Sequence, residues 1–159
     1  MSNPVTITAP VGLPFIEIVR EFEAPVDAVY RAHEDPALVQ QWLGPKGYEM
    51  EIEQFELRTG GRYRYLHRNG DATHAFNGVV HVARPNDVII QTFEWEGQPD
   101  VVSIESQTFE DLGDGRTRLT GRSVYPSVEA RDSMVDSGME HGVVDGYERL
   151  DDLLAAEPR

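Results

Sequence analysis

The sequence predicts an α+β fold: one curved antiparallel sheet of about seven strands around a long C-terminal helix, with two short helices after the first strand. Three observations carry that expectation. Residues 48–125 read almost entirely as short strands joined by tight turns, which favours antiparallel neighbours. Residues 127–154 repeat their apolar side chains at helical spacing. A sheet of this size has one face to bury, and only that last helix is long enough to cover it.

Taken in order, Phe15–Phe22 alternates as a first strand. Pro25 suits a first helical position, with Val26, Val29 and Tyr30 at helical spacing behind it. Asp35 followed by Pro36 reads as an N-cap and a proline at N1, opening a second short helix with Leu38, Val39 and Trp42. Strands are expected over 48–57, 62–68, 75–83, 88–95, 101–109 and 116–125. Asn69-Gly70 and Asp114-Gly115 are dipeptides that favour hairpin turns. Residues 157–159 read as a frayed end. The organisation is one domain over 15–155 behind an N-terminal extension, 1–14.

The last helix has a partly erased buried face. Val128, Val135, Met139, Leu150 and Leu153 form its stripe, while Gly142 and Gly146 interrupt it and Gly138 stands at its edge. Three interior glycines cost roughly 3 kcal/mol against alanine. Such a helix lets something approach its backbone closely: the sheet itself, or a ligand between helix and sheet.

Composition excludes several function classes. The 159 residues are 40% hydrophobic and 26% charged, with a net charge of −14. That acidity argues against nucleic acid and anionic membrane surfaces as partners. The absence of cysteine removes disulfides, thiol catalysis and thiolate metal sites, and fits a cytoplasmic protein. Residues 1–14 lack a basic start and carry Pro4, Pro10 and Pro14, so no signal peptide is expected. No apolar run approaches the roughly 20 residues of a membrane span. The histidines match no metal-ligand spacing, so neither a metal nor another cofactor is expected.

The chain resembles the START-like, helix-grip superfamily (SRPBCC), and within it bacterial members of the family named after the activator homologue of the heat-shock protein 90 ATPase. The resemblance spans about Phe15 to Leu154. It rests on Phe22-Glu-Ala-Pro25 with Asp35-Pro36 and Trp42, on Leu57-Arg-Thr-Gly-Gly-Arg62, and on Thr108-Phe-Glu-Asp-Leu-Gly-Asp-Gly-Arg-Thr-Arg-Leu-Thr120. Its strongest part is Ser127-Val-Glu-Ala-Arg-Asp-Ser-Met134, then Ser137-Gly-Met-Glu140, Gly142 and Gly146-Tyr-Glu-Arg-Leu150. The resemblance implies a helix-grip fold. It also implies one of the superfamily's roles: binding lipids, sterols, polyketides or hormones, or cyclising or dehydrating a ligand.

Strand alternation sorts the remaining polar and aromatic residues by face. Tyr63, Tyr65 and His67 share the inward side of one strand, and Phe93 and Trp95 that of another. Glu105, Gln107 and Phe109 point the same way, as do Ser123 and Tyr125. With Met139, Gly142 and Gly146 from the helix, and Trp42 capping one end, these residues line an expected ligand cavity. Arg58, Arg62, Arg64 and Arg68 read as a solvated strand face paired with surface carboxylates.

Glu105 and His67 are the catalytic candidates, because an inward carboxyl near an imidazole could act as acid and base. Binding of a small hydrophobic or aromatic molecule without turnover is the leading expectation. A cyclase or dehydratase using Glu105 or His67, and a co-chaperone-like interaction domain, are the alternatives. A homodimer and a chaperone partner stay open at this stage.

Overall fold

A computed structural model describes residues 3–156. Its elements are β1 (Val5–Thr8), β2 (Phe15–Phe22), α1 (Val26–Glu34), α2 (Pro36–Trp42), β3 (Glu49–Phe55), β4 (Arg62–Asn69), β5 (Ala72–Arg84), β6 (Val88–Trp95), β7 (Val102–Gly113), β8 (Arg116–Val124), α3 (Val128–Asp136) and α4 (Met139–Ala156). All eight strands form one antiparallel sheet in the order β1-β2-β8-β7-β6-β5-β4-β3. This is the α+β helix-grip arrangement expected from the sequence. Residues 157–159 lie outside the described residues.

Local chemistry explains the element boundaries. Asp35 accepts a hydrogen bond from the Ala37 amide at 2.9 Å, and Pro36 starts α2 where a missing N–H costs nothing. Ser127 caps α3 by accepting from the Ala130 amide at 3.0 Å. Asp114 and Gly115 both hold positive φ between the paired residues Gly113 and Arg116, the geometry of a tight hairpin turn. At the β4–β5 hairpin Asn69 is itself paired, with Ala72, so Gly70 and Asp71 form the turn.

Three sequence expectations need correction. The sheet has eight strands instead of about seven, because Val5–Thr8 pairs with β2. This edge strand lies within the stretch expected to be an extension, and its flanking prolines are tolerated because only one side is paired. The single helix over 127–154 is two helices. Gly138, at φ +82°, ends α3 and lets the chain restart as α4. That restart resets the buried face. Val135 is exposed, and the side chains that α4 buries are Tyr147, Leu150 and Leu154, with Leu153 only partly covered.

The main core sits at one end of the concave sheet face. There Phe22, Phe109 and Leu119 from the sheet meet Val29 and Tyr30 of α1, Trp42 of α2, and Tyr147, Leu150 and Leu154 of α4. Edge-on ring contacts tie the layers, at 5.3 Å for Phe22 with Tyr147 and 5.1 Å for Tyr30 with Phe109. The α4 backbone packs against α1, α2 and α3 more closely than against any strand. Two arginines of β4 pair with carboxylates as expected: Arg64 with Glu53 and Glu96, and Arg68 with Glu51.

Candidate functional site

The other end of the concave face is an aromatic wall. Registry puts Tyr65 opposite Phe76, and Phe76 opposite Trp95, across β4, β5 and β6. Because side chains directly opposite share a face, these residues turn toward the helices together with Tyr63, His67, His74 and Phe93. The rings form a continuous series. Centroids lie 6.0 Å apart for Tyr63 and Tyr65, 5.2 Å for Tyr65 and Phe76, and 5.4 Å for Phe76 and Phe93. His74 meets Trp95 edge-on at 5.8 Å.

This wall differs from the core end in one respect. Phe22 is 0%, Leu119 1% and Phe109 4% exposed. Tyr65, Phe76, Phe93 and Trp95, on the same face, stay half-buried. These rings turn toward the helices and yet keep contact with solvent.

A polar row crosses the floor beside it. Gln91, Glu105 and Ser123 stand directly opposite one another on β6, β7 and β8. Ser123 Oγ donates to Glu105 Oε2 at 3.3 Å, and Gln91 also hydrogen-bonds the carboxyl. Burial pushes the Glu105 carboxyl up from its ordinary range, against the opposing effect of those two bonds. Glu105 acts in turn on Tyr63, Tyr65, Tyr125 and Tyr147. All four phenols are raised, first by burial and then by this carboxyl. Gln107 lies one step inward, against Gly121, and its Oε1 is buried without a partner.

His67 belongs to a different corner. It is three strands away from Glu105, and packs near Tyr48, Tyr65 and Phe76. Gly44 brings its backbone against the ring so closely that a Cβ there would stand 2.5 Å from His67 Cε1. Burial lowers its pKa to about 4, helped by the positive charge of Arg149 and by His74, so the imidazole is neutral at pH 7. The two catalytic candidates are therefore not brought together.

The remaining expected residues divide between wall, core and loop. Tyr125 and Ser123 stand beside Glu105, and Met139 is partly covered at the start of α4. Trp42 and Phe109 lie in the core cluster instead of on the wall; Trp42 Nε1 donates to the Ala32 carbonyl at 2.9 Å. Gly142 and Gly146 face the chain that follows α2. A Cβ on Gly142 would meet Pro45 Cδ at 3.7 Å, and one on Gly146 the Trp42 carbonyl oxygen at 3.2 Å. Phe76, His74 and Tyr147 were not anticipated. Phe76 was legible in principle, since it shares a face with Gly78 and Val80 and sits opposite Tyr65 once the hairpin register is known.

Two recesses occur elsewhere. One lies by Asn3, Val5, Arg20, Val144 and Tyr147, and the other by Gln41, Arg149, Asp152 and Leu153. Neither includes a residue of the aromatic wall. Among the described residues no group of three or more His, Asp or Glu is placed to hold a metal ion, and no helix is long and apolar enough to cross a membrane.

The family model for activator of Hsp90 ATPase homolog 1-like protein matches residues 23–155. A crystal structure of a Rhodobacter sphaeroides protein superposes with a TM-score of 0.87 at 27% identity, covering 97% of this chain and 100% of that one. Protein Ms6760 from Mycobacterium smegmatis gives 0.86 at 26% identity, covering 98% and 100%. DynU16, from the dynemicin biosynthetic locus, shares the fold at 24% identity with a TM-score of 0.69, covering 90% of this chain and 48% of its own. No curated protein sequence matches.

Proposed function

We propose that this chain, which belongs to the activator of Hsp90 ATPase homolog 1-like family, binds a small hydrophobic or aromatic molecule between the sheet and helices α3 and α4. One observation carries the reading. The rings of Tyr65, Phe76, Phe93 and Trp95 turn inward but remain half-buried, whereas the same face is sealed at its other end. A mainly aromatic wall beside a few hydrogen-bonding groups suits a ligand with a flat apolar body and a polar end.

Turnover is not part of the proposal. Glu105 is held by Gln91 and Ser123, and His67 lies in another corner against Gly44. The two groups stand three strands apart and do not form an acid–base pair.

A second reading rests on the opposite face. Phe15, Val124, Ile104 and Thr92 stand in one row across four strands of the convex side, and Ile104 is 56% and Val124 42% exposed. An exposed apolar row of this kind supports a protein-interaction role.

Native mass spectrometry of protein purified gently from its source tests the first reading. A copurifying small molecule, lost on Phe93→Ala while the fold persists, is the expected result. A bare protein mass, with no saturable binding of naphthalene derivatives up to their solubility, would overturn it.

A further inference from the structure

Glu105 poses a question that hydrophobic binding alone does not answer. A carboxyl set among aromatic rings is costly unless something compensates it. Its protein partners are Gln91 and Ser123, and no Lys, Arg or His among the described residues pairs with it. The nearby guanidiniums are engaged elsewhere. Arg20 binds both oxygens of Asp151 at 2.6 Å, and Arg131 binds Asp132 and the Pro10 carbonyl.

Burial opposes the charged form of this carboxyl, so a carboxylate here needs a favourable partner. Burial is the larger influence and raises the carboxyl's pKa; the bonds from Gln91 and Ser123 favour the ionised form and offset that only in part. Around the group stand aromatic faces, whose electron-rich surfaces attract cations. Two hydrogen-bonding partners and a surrounding set of phenol rings offset the burial cost in part, and a positive charge would offset the rest. The chain's net charge of −14 further concentrates cations near it.

Resting on the binding proposed above, we infer that the ligand is an organic amine, its ammonium seated on Glu105 among Tyr63, Tyr65 and Tyr125 and its apolar body against Phe76 and Phe93. A neutral alcohol would fill the same space but leave the carboxylate without its counter-charge. A carboxylic acid would bring like charge to it and is excluded.

Three probes of nearly one shape test this: 2-naphthylmethylamine, 2-naphthylmethanol and 2-naphthoate, titrated calorimetrically at pH 7 and 0.3 M salt. The amine is expected to bind about tenfold or more tighter than the alcohol, and the acid weakest. Glu105→Gln, which keeps the shape of the side chain, should make amine and alcohol equal. Asp114→Asn, in an exposed turn, should leave the preference intact. Equal binding of amine and alcohol by the wild type, or an amine preference that survives Glu105→Gln, overturns the amine assignment and leaves the hydrophobic site standing. Failure of all three probes to bind removes both readings.

Discussion

Gly142 gives the sharpest test of where α4 sits. The sequence places it on an inward stripe, where a larger side chain would collide with the sheet or fill a ligand space. In the structure its Cβ direction points at the loop after α2, and the nearest atoms would be Pro45 Cδ at 3.7 Å and Pro45 N at 3.9 Å. These are ordinary van der Waals distances. Gly142→Ala should therefore recover the helix propensity of alanine, about 1 kcal/mol, with no steric penalty to offset it. Urea unfolding should show a higher midpoint at unchanged m-value. Gly146→Ala is the internal control. Its Cβ would stand 3.2 Å from the Trp42 carbonyl oxygen, so the same propensity gain should be largely cancelled. Destabilisation by Gly142→Ala, or an equal gain at both positions, would refute the described packing of α4 on the residue 42–45 loop.

Other consequences follow from the buried polar groups. His33 is enclosed by Trp42 and Phe109, with Nδ1 bonded to the Val29 carbonyl at 2.8 Å, and burial lowers its pKa to about 4. An unfolded imidazole titrates near 6.5, so between those pH values the unfolded chain binds more protons. The His33 contribution is thus complete above about pH 6.5 and declines by up to about 3 kcal/mol as the pH falls to 4. His33→Phe should flatten the pH dependence of urea midpoints in that window, and an unchanged slope would contradict the assignment. Arg20 is 3% exposed and holds Asp151 in a bidentate pair, so Asp151→Ala strands a buried guanidinium and should cost about 3 kcal/mol in the same assay. A loss below about 1 kcal/mol would place that pair in the class of surface ion pairs.

The sequence made the concave face legible because β4, β6, β7 and β8 are regular where it matters. The bulges fall between Ile52 and Gln54, Val80 and Val82, and Asp111 and Gly113, away from Tyr63, Tyr65, Phe93 and Glu105. Simple alternation therefore assigns those four to one side correctly. It cannot tell how far along that side a residue lies. Phe109 shares a face with Glu105 yet falls under α1, because the position of the small helices is a tertiary fact that strand period does not encode. Trp42 joins the core for the same reason. The helix break was half visible: three glycines signalled an unusual cost, and the chain removes part of it by taking Gly138 out of the helix at positive φ. The pairing of Val5–Thr8 depends on an edge offered by β2, which no local pattern in a four-residue stretch announces.

Ligands are expected to enter the concave aromatic face and not the convex apolar row. Titration of 2-naphthylmethanol into protein with isotope-labelled aromatic and methyl groups, followed by NMR, reads both surfaces at once. Saturable shifts at Tyr65, Phe76, Phe93 and Trp95, with Trp42 and the Ile104 and Val124 methyls unmoved, are the predicted result. Shifts confined to Ile104 and Val124 would contradict it and place the functional surface on the outside of the sheet.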